Sequence, residues 1–226
     1  MFETQKRTLA STVYEVLRAD IISGGFEGVS KLNIRQLAAR FDTGMAPIRE
    51  ALSRLSTEGL VAQMDRRGFA VVPTSIDELW DLHHARVTIN EVCLRESIAW
   101  GDRDWEEGVL VACHRLLRVE RPQDDIFHPV AVEWTRLHRA FHHALLSACR
   151  SPRLLHYCDR LFDDLERYRH VGRHVASSRP HVADEHRAIM EAVIARDADA
   201  AVSLLSAHYR TTAERVDQAL RQRNLG

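Results

Sequence analysis

Apolar residues recur every three or four positions along most of the chain, which predicts helices with one buried face. Three such helices are expected before residue 60: a leading helix, a second from about Ile34 to Phe41, and a third from about Ala46. Asn33 is placed to cap the second helix, and Pro47 suits the first turn of the third. The predicted buried positions are Val13, Val16, Leu17, Ile21, Leu37, Ala38, Phe41, Ile48, Leu52 and Leu55.

Two short β-prone runs follow Gly59 and indicate a hairpin. They cover Leu60 to Gln63 and Phe69 to Val72, and they flank the turn sequence Asp-Arg-Arg-Gly at 65–68. A helix-turn-helix followed by a basic hairpin is the arrangement of a winged helix, in which the second helix of the motif enters the major groove of DNA. The first part of the chain is therefore predicted to bind DNA.

Arginines stand on the polar side of these elements, where guanidinium groups read guanine edges or hold phosphates. A solvated helical hairpin carries arginines as well, so the helix-turn-helix pattern alone leaves both interpretations open. The basic hairpin at the right distance favours DNA binding. The candidate DNA-binding residues are Arg35, Arg49 and Arg54 on the helices and Arg66, Arg67 and Gly68 at the hairpin tip.

The chain from Ser75 onward is helical in pattern almost throughout. Ser75 and Glu78 match the S-x-x-E capping box that opens a helix, so a DNA-binding domain of residues 1–73 and an all-helical domain of residues 74–226 are predicted. Six helices are expected in the second domain, at about 76–100, 103–118, 127–149, 152–170, 181–195 and 198–222. The predicted fold class is mainly α: an N-terminal winged helix-turn-helix with a small β wing, plus a C-terminal all-α bundle.

Composition places few limits on the partners. The formal net charge is −1, with 31 Lys and Arg against 32 Asp and Glu, so DNA binding would depend on placed arginines and on dimerisation more than on bulk charge. No apolar run is long enough to span a membrane, and the N-terminus lacks the hydrophobic segment of a secretory signal. A cytoplasmic protein without a membrane partner is therefore expected.

The four cysteines show no C-x-x-C spacing, and each lies in a helical pattern among apolar neighbours. This favours buried, reduced thiols of a cytosolic protein. A redox role for Cys149 and Cys158 stays open.

Four histidines of the helical domain have a spacing that suits a metal site. His138 and His142 are one helical turn apart on one face. If the last two helices form a hairpin that turns near Asp197, His186 and His208 lie 11 residues before and after the turn, hence side by side. Such a site would take zinc, nickel or a similar divalent ion. The chain has 13 histidines, however, so chance pairs and core histidines are the alternative.

The residues of the first domain resemble the GntR family of regulators. The resemblance rests on LRADIISGGF, RQLAARF, PIREALSRLSTEGLV and RRGFAV, in that order, and covers nearly all of the first 73 residues. It implies that Arg35, Arg49 and Arg54 contact DNA and that Gly68 lets the wing tip approach the minor groove. Met45 stands in the DNA-facing pair Gly44-Met45, where the family often has Ser-Arg, which implies a different operator.

The segment HRAFHHALLSACRSPRL resembles the FCD effector domain of the fatty-acid-regulator branch of this family. In that pattern an Asp commonly stands four residues before the first histidine, and two further histidines follow, 22 residues apart. His142, His186 and His208 match it, and His138 occupies the Asp position. The resemblance implies a divalent metal site, while the neutral imidazole of His138 removes one negative charge from it.

The six-helix count resembles the shorter, vanillate-regulator version of the FCD domain. GMAPIREALSRL, FHHALLSACRSPRLL and RYR are most similar to the carbon-starvation and glutarate-responsive repressors. A repressor of a catabolic operon is therefore expected, acting as a homodimer on a near-palindromic operator.

A metal held by neutral histidines keeps its positive charge and favours a small carboxylate effector, such as a dicarboxylate or hydroxy acid. Arg86, Arg167 and Tyr168 are the candidate effector-binding residues, although surface or interface salt bridges explain the two arginines about as well. Two other functions stay open. The cluster would serve a metal-dependent enzyme if Glu133 or Glu185 acted as a general base, or the bundle would be purely structural.

Overall fold

The computed structural model describes residues 8–22, 25–26, 31–64, 68–120, 129–173 and 181–224. The chain divides into two compact units, Met1–Thr74 and Ser75–Gly226. The described part of the first contains three helices and a two-stranded sheet, and that of the second contains six helices. This is the mainly α fold with a small β wing that the sequence predicts.

The first unit is built on helices α1 (Leu9–Ile22), α2 (Ile34–Arg40) and α3 (Met45–Thr57). The Asn33 side chain caps α2 as predicted, because its Oδ1 accepts hydrogen bonds from the backbone N–H groups of Arg35 and Gln36. Helix α2 ends one residue earlier than predicted, with Phe41 as a half-buried C-cap. The core contains the expected apolar positions of all three helices, including Val13, Leu17, Leu37, Ile48, Leu52 and Leu55.

The prediction is wrong for one residue of α1, which was expected in the core. Val16 is 38% exposed. The buried stripe of α1 runs instead through positions 10, 13, 17 and 21. Val16 lies three positions after Val13 and directly before Leu17, which puts it at the edge of the stripe by which α1 packs against α3.

The predicted hairpin is present, and each strand is shifted by one residue. Strand β1 (Val61–Met64) pairs in antiparallel register with β2 (Gly68–Val71), and Val61 lies opposite Val71. The N–H of Leu60 donates to the carbonyl of Leu55 at 3.1 Å, and its own carbonyl accepts from the Val72 N–H at 3.1 Å, so this residue joins the exit of α3 to the hairpin. Leu32 N–H donates to Phe69 O at 2.8 Å, which ties β2 to the segment before α2.

The second unit contains helices of 13 to 27 residues that pack around a shared apolar core. Their bounds are α4 (Ile76–Trp100), α5 (Arg103–Leu117), α6 (Pro129–Leu146), α7 (Pro152–Arg173), α8 (Val182–Ile194) and α9 (Ala198–Asn224). None of the helices in the described part of the chain is both long enough and apolar enough to cross a membrane.

Two helix ends differ most from the sequence prediction. Helix α6 ends at Leu146, three residues early, because Ser147 and Cys149 donate to carbonyls only three residues back and tighten the chain into a turn before Pro152. Its predicted start at residue 127 lies outside the described residues. Helix α7 continues to Arg173, three residues beyond the predicted end.

The cap of α4 combines the predicted interaction with an unexpected one. Ser75 Oγ accepts from the Glu78 N–H at 3.1 Å, as a capping box requires. The Ser75 N–H, however, donates to the hydroxyl oxygen of Tyr168 at 3.2 Å, and that hydroxyl donates to the Glu78 carboxylate. Tyr168 of α7 thus stands between the two halves of the box and ties the start of α4 to α7.

All four cysteines are free and buried, as the spacing predicts. Cys93 Sγ lies 3.6 Å from Cys158 Sγ, and the Cys149 thiol donates to Glu96 Oε2 at 3.2 Å. Burial raises the pKa of the Cys113 thiol and raises that of Cys149 to about 12. These two thiols are therefore protonated at neutral pH.

Candidate functional site

The exposed side of α3 carries the residues predicted to meet DNA. Met45, Arg49 and Ser53 are exposed and follow one another at intervals of one helical turn, so they share a face. Arg35 is exposed on α2. Gly68 has a positive φ of 96°, a conformation that favours glycine at the base of the wing tip. Arg66 and Arg67 lie outside the described residues.

Arg54 lies on a different side of α3 from Arg49. Its guanidinium stacks over the ring of Tyr14 on α1 at 4.0 Å from the centroid, and its Nη1 lies 3.4 Å from Ser11 Oγ. The Tyr14 hydroxyl in turn donates to Glu58, and burial with this hydrogen bond raises the Tyr14 pKa to about 12. In this structure Arg54 therefore joins α3 to α1.

The four predicted histidines of the second unit come together in the interior. His138 and His142 of α6, His186 of α8 and His208 of α9 are all buried, and one ring nitrogen of each lies within 4.8 Å of the others. His138 Nε2 and His142 Nε2 are 3.0 Å apart. The rings of His186 and His208 have centroids 4.8 Å apart across the turn at residues 195–197, as their equal distances from Asp197 predict.

A carboxylate orients the imidazole of His208. Nδ1 of His208 lies 2.7 Å from Oε2 of Glu185, which is close enough for a charge-assisted hydrogen bond. An ionised carboxylate only accepts, so the proton stands on Nδ1 and the Nε2 lone pair is left for another partner. Carboxylate–histidine pairs of this kind commonly support metal ligands.

A second chain of hydrogen bonds orients His142. Asn90 Nδ2 donates to the carbonyl of Arg86 at 2.9 Å, and Asn90 Oδ1 accepts from the Tyr209 hydroxyl at 3.3 Å. The Tyr209 hydroxyl has one proton, which it donates to Asn90. Its oxygen can therefore only accept from the Nδ1–H of His142, and the oxygen–Nδ1 distance is 3.2 Å. The Nε2 lone pair of His142 is thus also left for the cluster.

These features fit a divalent metal. Imidazole nitrogens suit zinc, copper, iron and nickel. With metal–nitrogen bonds of about 2.1 Å, adjacent ligand atoms are roughly 3.0–3.4 Å apart, which compares with the 3.0 Å between His138 and His142; the four nitrogens, which lie within 4.8 Å of one another, would draw closer around an ion. Without a metal, the same contact is a hydrogen bond in which His138 Nε2–H donates.

A cleft of about 330 Å³, counting space open to solvent, lies beside the cluster; we call it the histidine cleft. His142 forms part of its wall, as do Arg86 and Asn90 of α4 and Arg139 of α6. Arg86 is 6% exposed, and its Nε has no hydrogen-bond partner among the described residues. The guanidinium lies over the rings of Tyr209 and Phe162, at 3.9 and 5.2 Å from their centroids.

Arg167 and Tyr168 lie elsewhere, at the Ser75 end of α4. Arg167 Nη2 lies 3.2 Å from Glu78 Oε2, and the Tyr168 hydroxyl donates to the same carboxylate. Neither residue is among those that line the histidine cleft. Of the three predicted effector residues, the structure therefore brings only Arg86 to the histidines.

Both candidate general bases are occupied. Glu133 lies on the surface in a two-point hydrogen bond with Arg136, which holds the pKa of its carboxyl below the usual value. Glu185 holds Nδ1 of His208. Each candidate carboxylate is therefore already engaged by a basic side chain.

Sequence reasoning missed Asn90, Tyr209 and Arg139. Two of them are neighbours of predicted ligands in the chain, since Arg139 follows His138 and Tyr209 follows His208. Asn90 lies one helical turn after Arg86 on the same face of α4. Their positions next to predicted site residues were the available signal.

Family comparisons agree with this architecture. Residues 9–71 match the gntR family of bacterial regulatory proteins, and residues 81–211 match the FCD domain. The HTH-type transcriptional regulator BphR of Paraburkholderia xenovorans (strain LB400) is 36% identical over 215 residues, which cover 94% of this chain and 86% of BphR. The HTH-type transcriptional repressor GlaR of Escherichia coli (strain K12) is 36% identical over 211 residues, 92% of this chain and 95% of GlaR.

A solved structure shows the same fold. E. coli McbR/YncC superposes with a TM-score of 0.73 at 15% sequence identity, covering 93% of this chain and 98% of that one. The predicted GntR and FCD resemblances are thus confirmed by sequence families over both units. The chain belongs to the gntR family of bacterial regulatory proteins and carries an FCD domain, and it is a DNA-binding transcriptional regulator and not an enzyme.

Proposed function

We propose that this regulator binds a divalent metal ion, zinc or nickel, at its four buried histidines, together with a small dicarboxylate or hydroxy acid that changes its affinity for the operator. The observation that carries the proposal is a buried arginine beside the histidine cluster, because Arg86 Nε has no hydrogen-bond partner among the described residues.

The histidines support the metal part of the proposal because their hydrogen bonds prepare them as ligands. Glu185 and Tyr209 hold the Nδ1 protons of His208 and His142. The Nε2 lone pairs of these two buried imidazoles could then bind a positive ion, and one ring nitrogen of each of the four histidines lies within 4.8 Å of the others. A bound ion would supply positive charge at the wall of the histidine cleft.

Arg86 supports the carboxylate part. A buried charge is costly unless a partner compensates it, and the aromatic faces of Tyr209 and Phe162 do so only in part. A carboxylate in the histidine cleft would give the guanidinium a charge-assisted partner.

Arg139 favours a ligand with a second acidic or hydroxyl group. Its guanidinium lines the same cleft and is bound to Asp163 and, at 3.5 Å, to Asp159. Because these carboxylates already balance its charge, Arg139 supports a second polar group of the ligand less strongly than Arg86 supports the first.

Effector control requires that the ligand bind two arrangements of the bundle unequally. Arg86 and Asn90 lie on α4, and the Asn90–Tyr209–His142 chain joins α4 to α9 and α6. A carboxylate that shifts Arg86 would act on this chain of hydrogen bonds, which gives the ligand a physical means to favour one packing of the three helices.

The regulator is proposed to act as a repressor, as the name of GlaR states for that protein. It would bind a near-palindromic operator as a homodimer, with Arg49 of each α3 directed at the major groove. DNA binding places its action in the bacterial cytoplasm. A catabolic operon is the proposed target because small carboxylic acids are products or substrates of such pathways.

A thermal-shift screen of the full chain tests the proposal. Malonate, succinate, glutarate, malate and acetate would each be added to metal-replete protein and to protein stripped with a chelator, with bound metal measured by elemental analysis. We expect zinc or nickel to bind, and one or more diacids to raise the unfolding temperature in the metal-replete sample only.

His186→Ala is the matched variant, because it removes one ligand and leaves the unit that carries α3 unchanged. It should lose metal and the response to diacids while keeping DNA affinity in the absence of effector. Full metal content in this variant would remove His186 from the site. No metal in the wild type after incubation with excess zinc or nickel would overturn the metal site itself.

A further inference from the structure

We propose that Met45 reads the 5-methyl group of a thymine in the operator and so determines a base preference next to the position that Arg49 contacts. This step rests on the proposed function, in which α3 enters the major groove. It adds a residue that selects sequence by apolar contact, whereas the arginines act through hydrogen bonds and charge.

Met45 has the position of a base-reading residue. It is the first residue of α3, and it lies one helical turn before Arg49 on the same exposed face. In a helix-turn-helix, the N-terminal residues of the second helix contact base edges. The chain belongs to a family of DNA-binding regulators, so this end of α3 is where contacts with bases are expected.

The core of the first unit does not use the Met45 side chain. Met45 is 48% exposed and is not part of the core cluster of the described residues. A single exposed apolar side chain is common on protein surfaces, so exposure alone does not indicate a contact. The combination of an apolar side chain with the first position of α3, beside Arg49, is what points to DNA.

The chemistry of the thioether leaves one partner in the major groove. Methionine has no N–H or O–H donor and no charge, and its sulfur is a weak acceptor, so it is poorly suited to phosphates and purine acceptors. Thymine is the base that presents a methyl group on its major-groove edge. Contact with this methyl removes apolar surface of both partners from water. Over a guanine, Met45 would instead leave the O6 and N7 acceptors without a donor.

The surroundings of Met45 suit such a contact. Residues 44–48 read Gly-Met-Ala-Pro-Ile and carry no charged side chain. Apart from its chain neighbours, no described residue comes within 4 Å of the place where a Cβ of Gly44 would stand. The described part of the chain therefore leaves the start of α3 open. The three rotatable bonds of methionine let the side chain adjust to the position of a methyl group.

The spacing of Met45 and Arg49 along α3 places the thymine. Four residues of an α-helix rise about 6 Å, and successive base pairs are about 3.4 Å apart. The thymine should therefore lie one or two base pairs from the base or phosphate that Arg49 contacts. A homodimer on a near-palindromic operator would make this contact once in each half-site.

Uracil substitution tests the contact. An operator would be selected from random DNA with the full wild-type chain, and each thymine would then be replaced in turn by uracil in both half-sites. Uracil keeps the base pair and the O4 acceptor and lacks only the methyl group. Fluorescence anisotropy should show that one of these replacements weakens wild-type binding about fourfold for each half-site, which is the effect of one methyl group.

Variants of Met45 show whether this residue makes the contact. Met45→Ala should bind the thymine and uracil operators nearly equally. Met45→Gln keeps the length of the side chain and replaces its apolar end by an amide, so a new selection should favour adenine at the same position. Val16→Ala, which trims an exposed apolar side chain of α1, should retain the uracil effect of the wild type. Circular dichroism should be unchanged in all three variants.

Three results would overturn the inference. The first is that no uracil replacement weakens binding by the wild type. The second is that uracil weakens Met45→Ala as much as the wild type, which would assign the methyl group to another residue or to the stiffness of the DNA. The third is that Met45→Gln selects the same operator as the wild type.

Failure of the proposed reading of DNA by α3 would look different, because Arg49→Ala would then bind the operator like the wild type. If Arg49→Ala weakens binding while uracil has no effect, α3 contacts the operator and only the inference about Met45 is wrong.

Discussion

Glu185 and His208 meet across helices α8 and α9, with Oε2 of the carboxylate 2.7 Å from Nδ1 of the imidazole. His186, the next residue in α8, belongs to the histidine cluster itself. Adjacent residues of one helix point in directions about 100° apart. Helix α8 therefore contributes one imidazole to the cluster and, through its neighbour, the group that orients another.

Glu185→Gln is expected to weaken metal binding without removing a ligand. The amide keeps the shape of the carboxylate but not its charge, so His208 loses the partner that holds its Nδ1 proton. Loss of such a partner typically lowers metal affinity about 10–100-fold. Competition with a chromogenic zinc chelator measures this, and Glu191→Gln, an exposed change on the same helix, is the control. Equal affinities of both variants and the wild type would contradict the role of Glu185.

Tyr209→Phe tests the second chain of hydrogen bonds. The variant keeps the ring under Arg86 and loses the hydroxyl that joins Asn90 to His142. We expect metal affinity to fall, by a factor of about 10, with a small loss in thermal stability. Tyr157→Phe, which changes an exposed tyrosine of α7, should alter neither. If Tyr209→Phe changes stability but not metal affinity, the hydroxyl has only a structural role.

Arg49→Ala is expected to reduce operator affinity by about 1–3 kcal/mol, whether Arg49 binds a base edge or a phosphate. Arg49 is exposed on α3, so the unfolding temperature should not change. Fluorescence anisotropy on an operator selected from random DNA measures the affinity. Arg103→Ala, an exposed arginine of the second unit, should behave like the wild type. Undiminished affinity of Arg49→Ala would show that α3 does not read the operator through this residue.

The raised pKa of Tyr168 predicts that the protein loses stability at high pH. Burial, together with the hydrogen bond to Glu78, raises its pKa from 10.0 to about 12. The folded protein thus keeps the phenolic proton of Tyr168, which the unfolded chain loses near pH 10. The contribution of this group to stability is therefore complete below pH 10 and disappears as the pH approaches 12.

Comparison with Tyr168→Phe isolates this effect, because Tyr14 titrates in the same range in both proteins. Between pH 10 and 12 the free energy of unfolding of the wild type should fall by about 2 kcal/mol more than that of the variant. Chemical denaturation at a series of pH values measures both. Parallel pH profiles would show that the Tyr168 hydroxyl ionises as freely in the folded protein as in the unfolded one.

Helix caps and the positions of residues on one face of a helix were predictable from the sequence. Asn33 caps α2 because a cap depends on the three residues that follow it. His186 and His208 were placed together because the register of two helices joined by a short turn follows from counting residues on each side of Asp197. Even here Val16 was placed wrongly, since the width of a buried stripe depends on the neighbouring helix.

Contacts between distant helices were not predictable from spacing. Arg86 and Arg167 both occur in long helices of the second unit, and nothing in their sequence neighbourhoods separates them. Rotation of each helix about its axis decides the outcome: Arg86 turns toward Tyr209, whereas Arg167 turns toward Glu78. That rotation is set by packing of the whole apolar core, which joins residues more than a hundred positions apart.

The order of helices, the wing and the two histidine pairs thus follow from short-range spacing, because each depends on the period of one element or on one turn. The hydrogen bonds that prepare His142 and the position of Arg86 in the wall of the histidine cleft depend on α4, α6 and α9 being packed together. Such contacts exist only after the core has formed, because side chains on separate helices have no fixed distance until packing supplies it.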